Sequence, residues 1–393
     1  MLRSRGIFFC IFTGSEISLT INKAAIKDSK RIFGLDFMRA MAIMMVLIGH
    51  CAWIFPPSDG VIMQLLAMSG YLGVEIFFVL SGFLIGNILY KMFTSETFTI
   101  KSAGIFLKRR WFRTLPNYYL ILLVNIAIAS YIGYQIEDLW RYFFFLQNFA
   151  SPMLPFFTES WSLSIEEFAY LLLPFALMLI SNGRNRNANY ITIILLLWLV
   201  FVGNKFLYHY NGQVADMEQW NLAVKSVVVF RLDAIFTGVI CSWLYINFNA
   251  SWNKMKYTLL LAGLFLMGFL VFGIGQLGLF IDSYPFFWNV IYLPLTSFTV
   301  ACFLPFLSEW QTSTNALYRP VTFISKISYS MYLLHYGVVL QLMRFQYDVT
   351  NAGTSELLLF TLIYFMLTIG LSFFLYKHYE RPMMNLRERK TPS

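Results

Sequence analysis

Charge is scarce in this 393-residue sequence: Asp, Glu, Lys and Arg together make up 12% of it, where soluble domains carry about 25%. With 58% of residues hydrophobic and a mean hydropathy of +0.63, a water-soluble globule is excluded. Cysteine is nearly absent too. Cys10, Cys51, Cys241 and Cys302 stand singly, with neither zinc spacing nor the pairing of a disulfide framework, so they read as packing residues. No metal site is expected. There is no P-loop, no dinucleotide fingerprint, no HExxH helix, no GxSxG elbow, and no His followed four residues later by Asp. The chemistries that depend on those motifs are excluded with them.

What the sequence has is apolar length. Aromatic residues reach 19%, with 41 Phe, and 393 residues leave room for about ten helical spans of about 20 residues each. Apolar runs bounded by Lys, Arg, Pro, Asn and Gly lie near 36–54, 71–90, 115–134, 163–181, 189–208, 226–247, 257–277, 286–307, 323–343 and 356–377. Residues 101–113 mix bases with aromatics and read as an interfacial helix. Residues 138–149 are too short to cross. The net charge of +9 invites a nucleic-acid reading, but the bases are distributed as a topology signal. They collect at both ends and in alternate gaps, while the remaining gaps and their borders hold only Arg141, Lys205, Lys225 and Arg344. By the positive-inside rule both termini are cytoplasmic. The expected fold is an all-α polytopic membrane protein of about ten transmembrane helices. An amino-terminal arm (1–32) precedes a membrane domain (33–383), and a basic tail (384–393) follows it.

Arg39 and His50 share the first span. Eleven residues advance a helix by about 1100°, within about 20° of three turns, and climb about 16 Å, so both lie on one face. Ionisable groups inside a membrane are costly and mark function by default. A guanidinium keeps its charge, whereas an imidazole exchanges protons near neutral pH. Singly, Arg39 also reads as a snorkelling residue and His50 as an interfacial one. Together they suit an anionic group held at one depth and proton transfer at another.

Other polar groups fall in two sets. Arg110 and Arg113, at i and i+3 beside Lys108 and Arg109, form a phosphate clamp or a plain topology anchor. His50, Glu75, Glu166, Glu167, Arg231 and Asp233 lie near outer span ends. Glu75 is expected to orient His50 or another polar partner. Glu166 shares a face with Ser162 and Tyr170, a stripe pointing into the bundle, whereas Glu167 shares one with Leu163 and Leu171, facing lipid or neighbouring helices. Arg231 and Asp233, two apart, must find partners on other helices. Ser81, Gly82 and Gly86 permit close helix approach, and Ser328, Tyr332 and His335 read as interhelical glue rather than catalysts.

The runs GLDFMRAMAIMMVLIGH, GVEIFFVLSGFLIG, KRRWFRTLPNYY, ESWSLSIEEFAYLLLP, RLDAIFTG, ISYSMYLLH and YERP, in this order from about residue 33 to 383, resemble acyltransferase family 3, the bacterial-type integral membrane O-acyltransferases. Each run is weak alone; seven in order are specific. The resemblance implies an enzyme of the cytoplasmic (inner) membrane that acylates extracytoplasmic sugars. Its partners are acetyl-CoA or another acyl-CoA as donor substrate, with no permanently bound cofactor, and a carbohydrate or lipid-linked glycan acceptor. Membrane lipid surrounds it and nucleic acid plays no part. It places Arg39 and His50 at essential positions, Glu75 in the second-span motif, Arg110 and Arg113 at the basic pair of the second cytoplasmic loop, and Glu166 at the acid following the SLS triplet. On the residues' own chemistry the basic pair is expected to bind the donor and Glu166 to hold the acceptor. The chain resembles the stand-alone type, which implies an acceptor that reaches the membrane itself. His50 then acts as general base or as acyl carrier. A transporter or flippase of glycans is the other class compatible with intramembrane charges, although no internal repeat is visible.

Overall fold

The computed structural model describes residues 31–56, 60–95, 97–180, 185–212, 216–311, 316–349 and 352–386. Most of the amino-terminal arm and of the basic tail, Cys10 among them, lies outside the described residues. Ten helices dominate: α1 (Phe33–His50, ending in a tight turn, Cys51–Ile54), α2 (Val61–Ser95), α3 (Ile100–Ile132), α4 (Trp161–Leu179), α5 (Arg186–Asn211), α6 (Leu232–Asn247), α7 (Asn249–Gln276), α8 (Phe287–Glu309), α9 (Tyr318–Leu334) and α10 (Thr354–Leu386). Among the described residues eight of them, all but α6 and α9, are long and apolar enough to cross a membrane. The ten helices coincide with the ten apolar runs of the sequence. α6 is shorter, 16 residues, because a wide turn and a tight turn occupy Asn221–Phe230. α9 continues through a π-turn (His335–Leu340) into Gln341–Gln346, and its Ser325, Ser328, Ser330, Tyr332 and His335 are all buried.

α2 is the central post, packed along α1 on one side and α6 on the other, with α9 against α1 and α10 behind α9. α5 and α7 are peripheral and show apolar flanks such as Leu195, Leu199, Phe265 and Phe272 to their surroundings, as lipid-facing helices do. The α2–α6 crossing needs glycine on both sides. A Cβ on Gly82 would stand 1.9 Å from the Ile235 carbonyl oxygen, and one on Gly238 would stand 2.0 Å from that of Val79. Backbones in contact at this depth gain dispersion where water supplies no hydrophobic drive. Gly82→Ala is expected to push the helices apart at a cost of about 1–3 kcal/mol. In thermal unfolding of the detergent-solubilised protein it should lower the melting temperature. Gly104→Ala, with nothing within 4 Å of its Cβ, should not, and equal behaviour of the two would refute the close crossing.

One boundary differs from the sequence reading. Residues 101–113 are no separate interfacial helix; they are the first turns of α3, which runs unbroken through Pro116. Thr99 starts it, its hydroxyl accepting from the Ser102 N–H in a capping box. A proline removes one ladder bond, but packing of Thr114, Asn117 and Tyr118 against neighbouring helices outweighs that loss. At about 1.5 Å per residue α3 exceeds the hydrocarbon thickness, so its basic first turns project beyond it.

Candidate active site

Where α1, α2, α3, α4 and α9 converge they enclose a cavity of about 90 Å³. Arg39 reaches it from α1, Arg110 and Arg113 from one face of α3, Ser162, Glu166 and Tyr170 from α4, and Ser328 and Tyr332 from α9. The stripe Ser162–Glu166–Tyr170 thus points inward, as the helical period requires. Glu166 accepts a hydrogen bond from the Tyr170 hydroxyl (2.7 Å), and that hydroxyl lies 2.8 Å from Ser81 Oγ on α2. Ser81 is therefore a cavity residue, while Gly82 and Gly86 make the close approach. Arg110 lies 6.0 Å from the Tyr170 ring.

Arg39 keeps its head in this cavity because its nearest acid is taken. Asp36 accepts two bonds from Arg31 (2.7 and 2.8 Å) and one from Ser325 (2.7 Å), leaving Arg39 at 3.8 Å. Three guanidinium groups therefore share the lining with one carboxyl, and the cavity favours an anionic or carbonyl-bearing ligand.

His50 does not line the cavity; it stands three turns further along α1. Its Nδ1 lies 2.9 Å from the Val46 carbonyl and 3.2 Å from His335 Nε2, with the rings edge to face at 4.6 Å. Tyr332 connects the levels. It lines the cavity, its hydroxyl donates to the Glu159 carbonyl (3.0 Å) and meets Ser162 Oγ (2.6 Å), and its ring is 5.6 Å from His335.

The remaining polar groups fall partly where the sequence places them and partly elsewhere. Glu166 was expected at an outer site apart from the bases, yet it shares the cavity with Arg39, Arg110 and Arg113. The arginines' length closes the gap in height. Of the two surroundings expected for Glu167, lipid or a neighbouring helix, it takes the helix: it is buried and accepts from Thr114 Oγ1 (2.7 Å) in the α3–α4 interface. Of the two kinds of partner expected for Glu75, His50 or another polar group, it takes the second. It pairs with Arg231 and accepts from Ser297, all within the bundle. Asp233 pairs with Lys205 at 2.5 Å. Arg231 and Asp233 do find partners on other helices, but Lys205 is fully buried rather than at an outer border. Lys225, outside the spanning helices, is held under the Trp161 ring, and burial pushes its ammonium down to about 8. The closing YERP motif is structural: Glu380 accepts from Asn117 (3.0 Å) and Ser330 (2.5 Å), pinning α10 to α3 and α9.

His335 and Ser81 are the groups that the sequence reading undervalued. The available signal was a histidine within a buried helix, one turn from Tyr332. Among the described residues no group of three or more His, Cys, Asp or Glu is arranged to hold a metal ion.

An all-helical bundle with eight helices long and apolar enough to cross a membrane among the described residues, and with an arginine-lined cavity beneath a histidine pair, is that of a polytopic membrane protein. The profile of the family described as "Acyltransferase domain" matches residues 32–377, and the chain belongs to that family. It is 24% identical over 336 residues to O-acetyltransferase OatA of Staphylococcus aureus (strain NCTC 8325 / PS 47), covering 78% of this chain and 50% of that protein. To the putative peptidoglycan O-acetyltransferase YrhL of Bacillus subtilis (strain 168) it is 27% identical over 338 residues, covering 78% and 48%. Peptidoglycan O-acetyltransferase OatA of Listeria monocytogenes (serovar 1/2a, strain ATCC BAA-679 / EGD-e) matches at 30% over 164 residues, 37% of this chain and 24% of that one. The chain spans about half the length of the curated relatives it matches over most of its own length. No solved structure matches it significantly.

Proposed function

We propose that this protein is a membrane O-acyltransferase that moves an acyl group, acetyl in the simplest case, from cytoplasmic acyl-CoA to a hydroxyl of a cell-surface or lipid-linked glycan. The observation that carries this reading is the gathering of Arg39, Arg110, Arg113 and Glu166 in one cavity, three helical turns below His50 on the helix that bears Arg39. At about 90 Å³ the cavity has room for a handful of waters, which fits the slender arm that carries the thioester up towards His50 and not a nucleotide. The nucleotide and pyrophosphate would meet the projecting first turns of α3, where Lys108 and Arg109 accompany the two cavity arginines and Trp111 offers an exposed ring for stacking. Membership of the acyltransferase family and similarity to O-acetyltransferases support the chemistry.

In the proposed reaction the acceptor O–H proton passes to His50 while its oxygen bonds to the thioester carbonyl carbon. The C–S bond breaks, and the proton is returned to the departing sulfur as coenzyme A thiol. Arg39, whose head lies in the cavity beside Asp36 and three turns below His50, is placed to orient the donor arm and balance its charge below the reacting carbonyl. An acyl-histidine intermediate would use the same nitrogen as nucleophile. Glu166, held by Tyr170, positions a substrate hydroxyl or the thioester arm.

The donor site is tested by Arg110→Ala with Arg113→Ala. Loss of two charge-assisted contacts should raise KM for acetyl-CoA by about tenfold or more. The control pair Lys254→Ala with Lys256→Ala, which lies away from the cavity, should change it little. Equal small effects from both pairs would reduce Arg110 and Arg113 to topology anchors.

A further inference from the structure

Two carbonyl contacts decide which nitrogen of each histidine carries a proton. A backbone carbonyl only accepts, so a ring nitrogen bonded to one must be protonated. His335 Nδ1 lies 2.7 Å from the Tyr332 carbonyl and is therefore the N–H of a neutral His335. Its Nε2 is then a bare lone pair, and it is aimed at His50 Nδ1 3.2 Å away. His50 Nδ1 in turn lies 2.9 Å from the Val46 carbonyl, so it too is protonated, and its proton is shared between two acceptors. What remains of the His50 ring is Nε2, unprotonated.

We infer that His335 is a positioning residue for His50: its Nε2 accepts from His50 Nδ1–H, which fixes the ring and leaves the Nε2 lone pair of His50 for acyl transfer. This rests on the reading of His50 as the reacting base. When His50 Nε2 takes the acceptor's proton, the charge on the ring is met by an acceptor already in place at Nδ1. Nothing need rearrange during the step, which is the preorganisation that lowers a barrier. When Nε2 gives the proton to the leaving sulfur, the ring returns to its starting tautomer and the cycle balances.

The surroundings are built to hold this geometry. His335 is fully buried and opens the π-turn His335–Leu340, a local widening that recurs at functional sites. Glu159 clamps that turn from the segment before α4, its Oε1 accepting from the Gly337 N–H at 2.8 Å. The Glu159 carbonyl also accepts from the Tyr332 hydroxyl, so the turn and the helix before it are tied to one residue. A Cβ at position 337 would fall 2.3 Å from Asn125 Oδ1 and 2.8 Å from Glu159 Oε1, so only glycine permits the clamp.

The test combines spectroscopy with a conservative swap. The sequence has four histidines, and ring ¹⁵N spectra of the full-length protein in nanodiscs can be assigned by single substitutions. Both His50 and His335 should be protonated at Nδ1 and bare at Nε2. A proton resident on Nε2 of either neutral ring would overturn the inference whatever the activity. His335→Leu fills the volume without an acceptor and should lower kcat by about tenfold or more, with KM for acetyl-CoA changed by less than about twofold. His335→Gln offers an amide oxygen where Nε2 stood and should recover most of kcat. Equal impairment of the Leu and Gln variants would mean that packing, not the acceptor, matters, and would overturn it. If His50→Ala is inert while His335→Leu turns over normally, this inference falls alone. If His50→Ala stays active, the base reading falls beneath it.

Discussion

Replacing His50 by Ala is expected to abolish acyl transfer while expression, membrane insertion and the melting profile stay near those of the parent. The ring lies at the end of α1, half-buried, and its loss removes two hydrogen bonds but no ion pair. Its chemical contribution is larger. Removing a positioned general base costs about 10²–10⁴ in rate, and removing a nucleophile costs no less. Turnover of labelled acetyl-CoA with membrane glycan as acceptor is the measurement. More than a tenth of the parent activity would take His50 out of the reaction.

The second large effect is on stability. Arg231 and Glu75 are both fully buried, with Ser297 as a further donor to the carboxylate and the Phe78 ring 5.5 Å from the guanidinium carbon. Glu75→Ala leaves the guanidinium without its counter-charge inside the bundle. Breaking such a pair from one side costs about 3–5 kcal/mol, a large part of what holds a domain together. Loss of folded protein in detergent is expected, as a broad early melt in size-exclusion profiles after heating. Replacing both members, Glu75→Leu with Arg231→Met, should recover much of the loss, because an apolar pair of similar volume replaces a desolvated ionic one. A Glu75→Ala protein that melts with the parent would show that Arg231 has another counter-charge. Failure of the double variant to improve on the single one would show that Arg231 itself is required.

The helices and the shared face of Arg39 and His50 were legible in the sequence because both follow from period and length, which are local. Arg231 and Asp233 were legible as groups in need of partners for the same reason: residues two apart on a helix diverge. Which partners they find was not. Glu75 meets Arg231 across 156 residues, and His50 meets His335 across 285. Helical periodicity says which residues share a stripe but not what stands opposite. Glu167 meets the same limit: its stripe neighbours Leu163 and Leu171 left lipid and a neighbouring helix both open, and it is α3 that covers that face and supplies Thr114. Residues 101–113 read as a separate helix because their mixture of bases and aromatics differs from the apolar run after it, whereas helical period continues across such a change in composition and through Pro116. Glu166 lies on the stripe that lines the cavity, but its meeting with three arginines was not legible, since the span of an arginine side chain is invisible in a count of residues per turn.

Sided membrane vesicles test the central claim most directly. Inside-out vesicles carrying the protein expose the cytoplasmic face, and with it the proposed donor site, to labelled acetyl-CoA added outside. Label should appear in the luminal glycan without any imposed gradient. Sealed right-side-out vesicles, and inside-out vesicles with His50→Ala, should show none. Transfer that occurs only when acetyl-CoA is on the opposite face, or glycan that crosses the membrane with no label attached, would contradict the account.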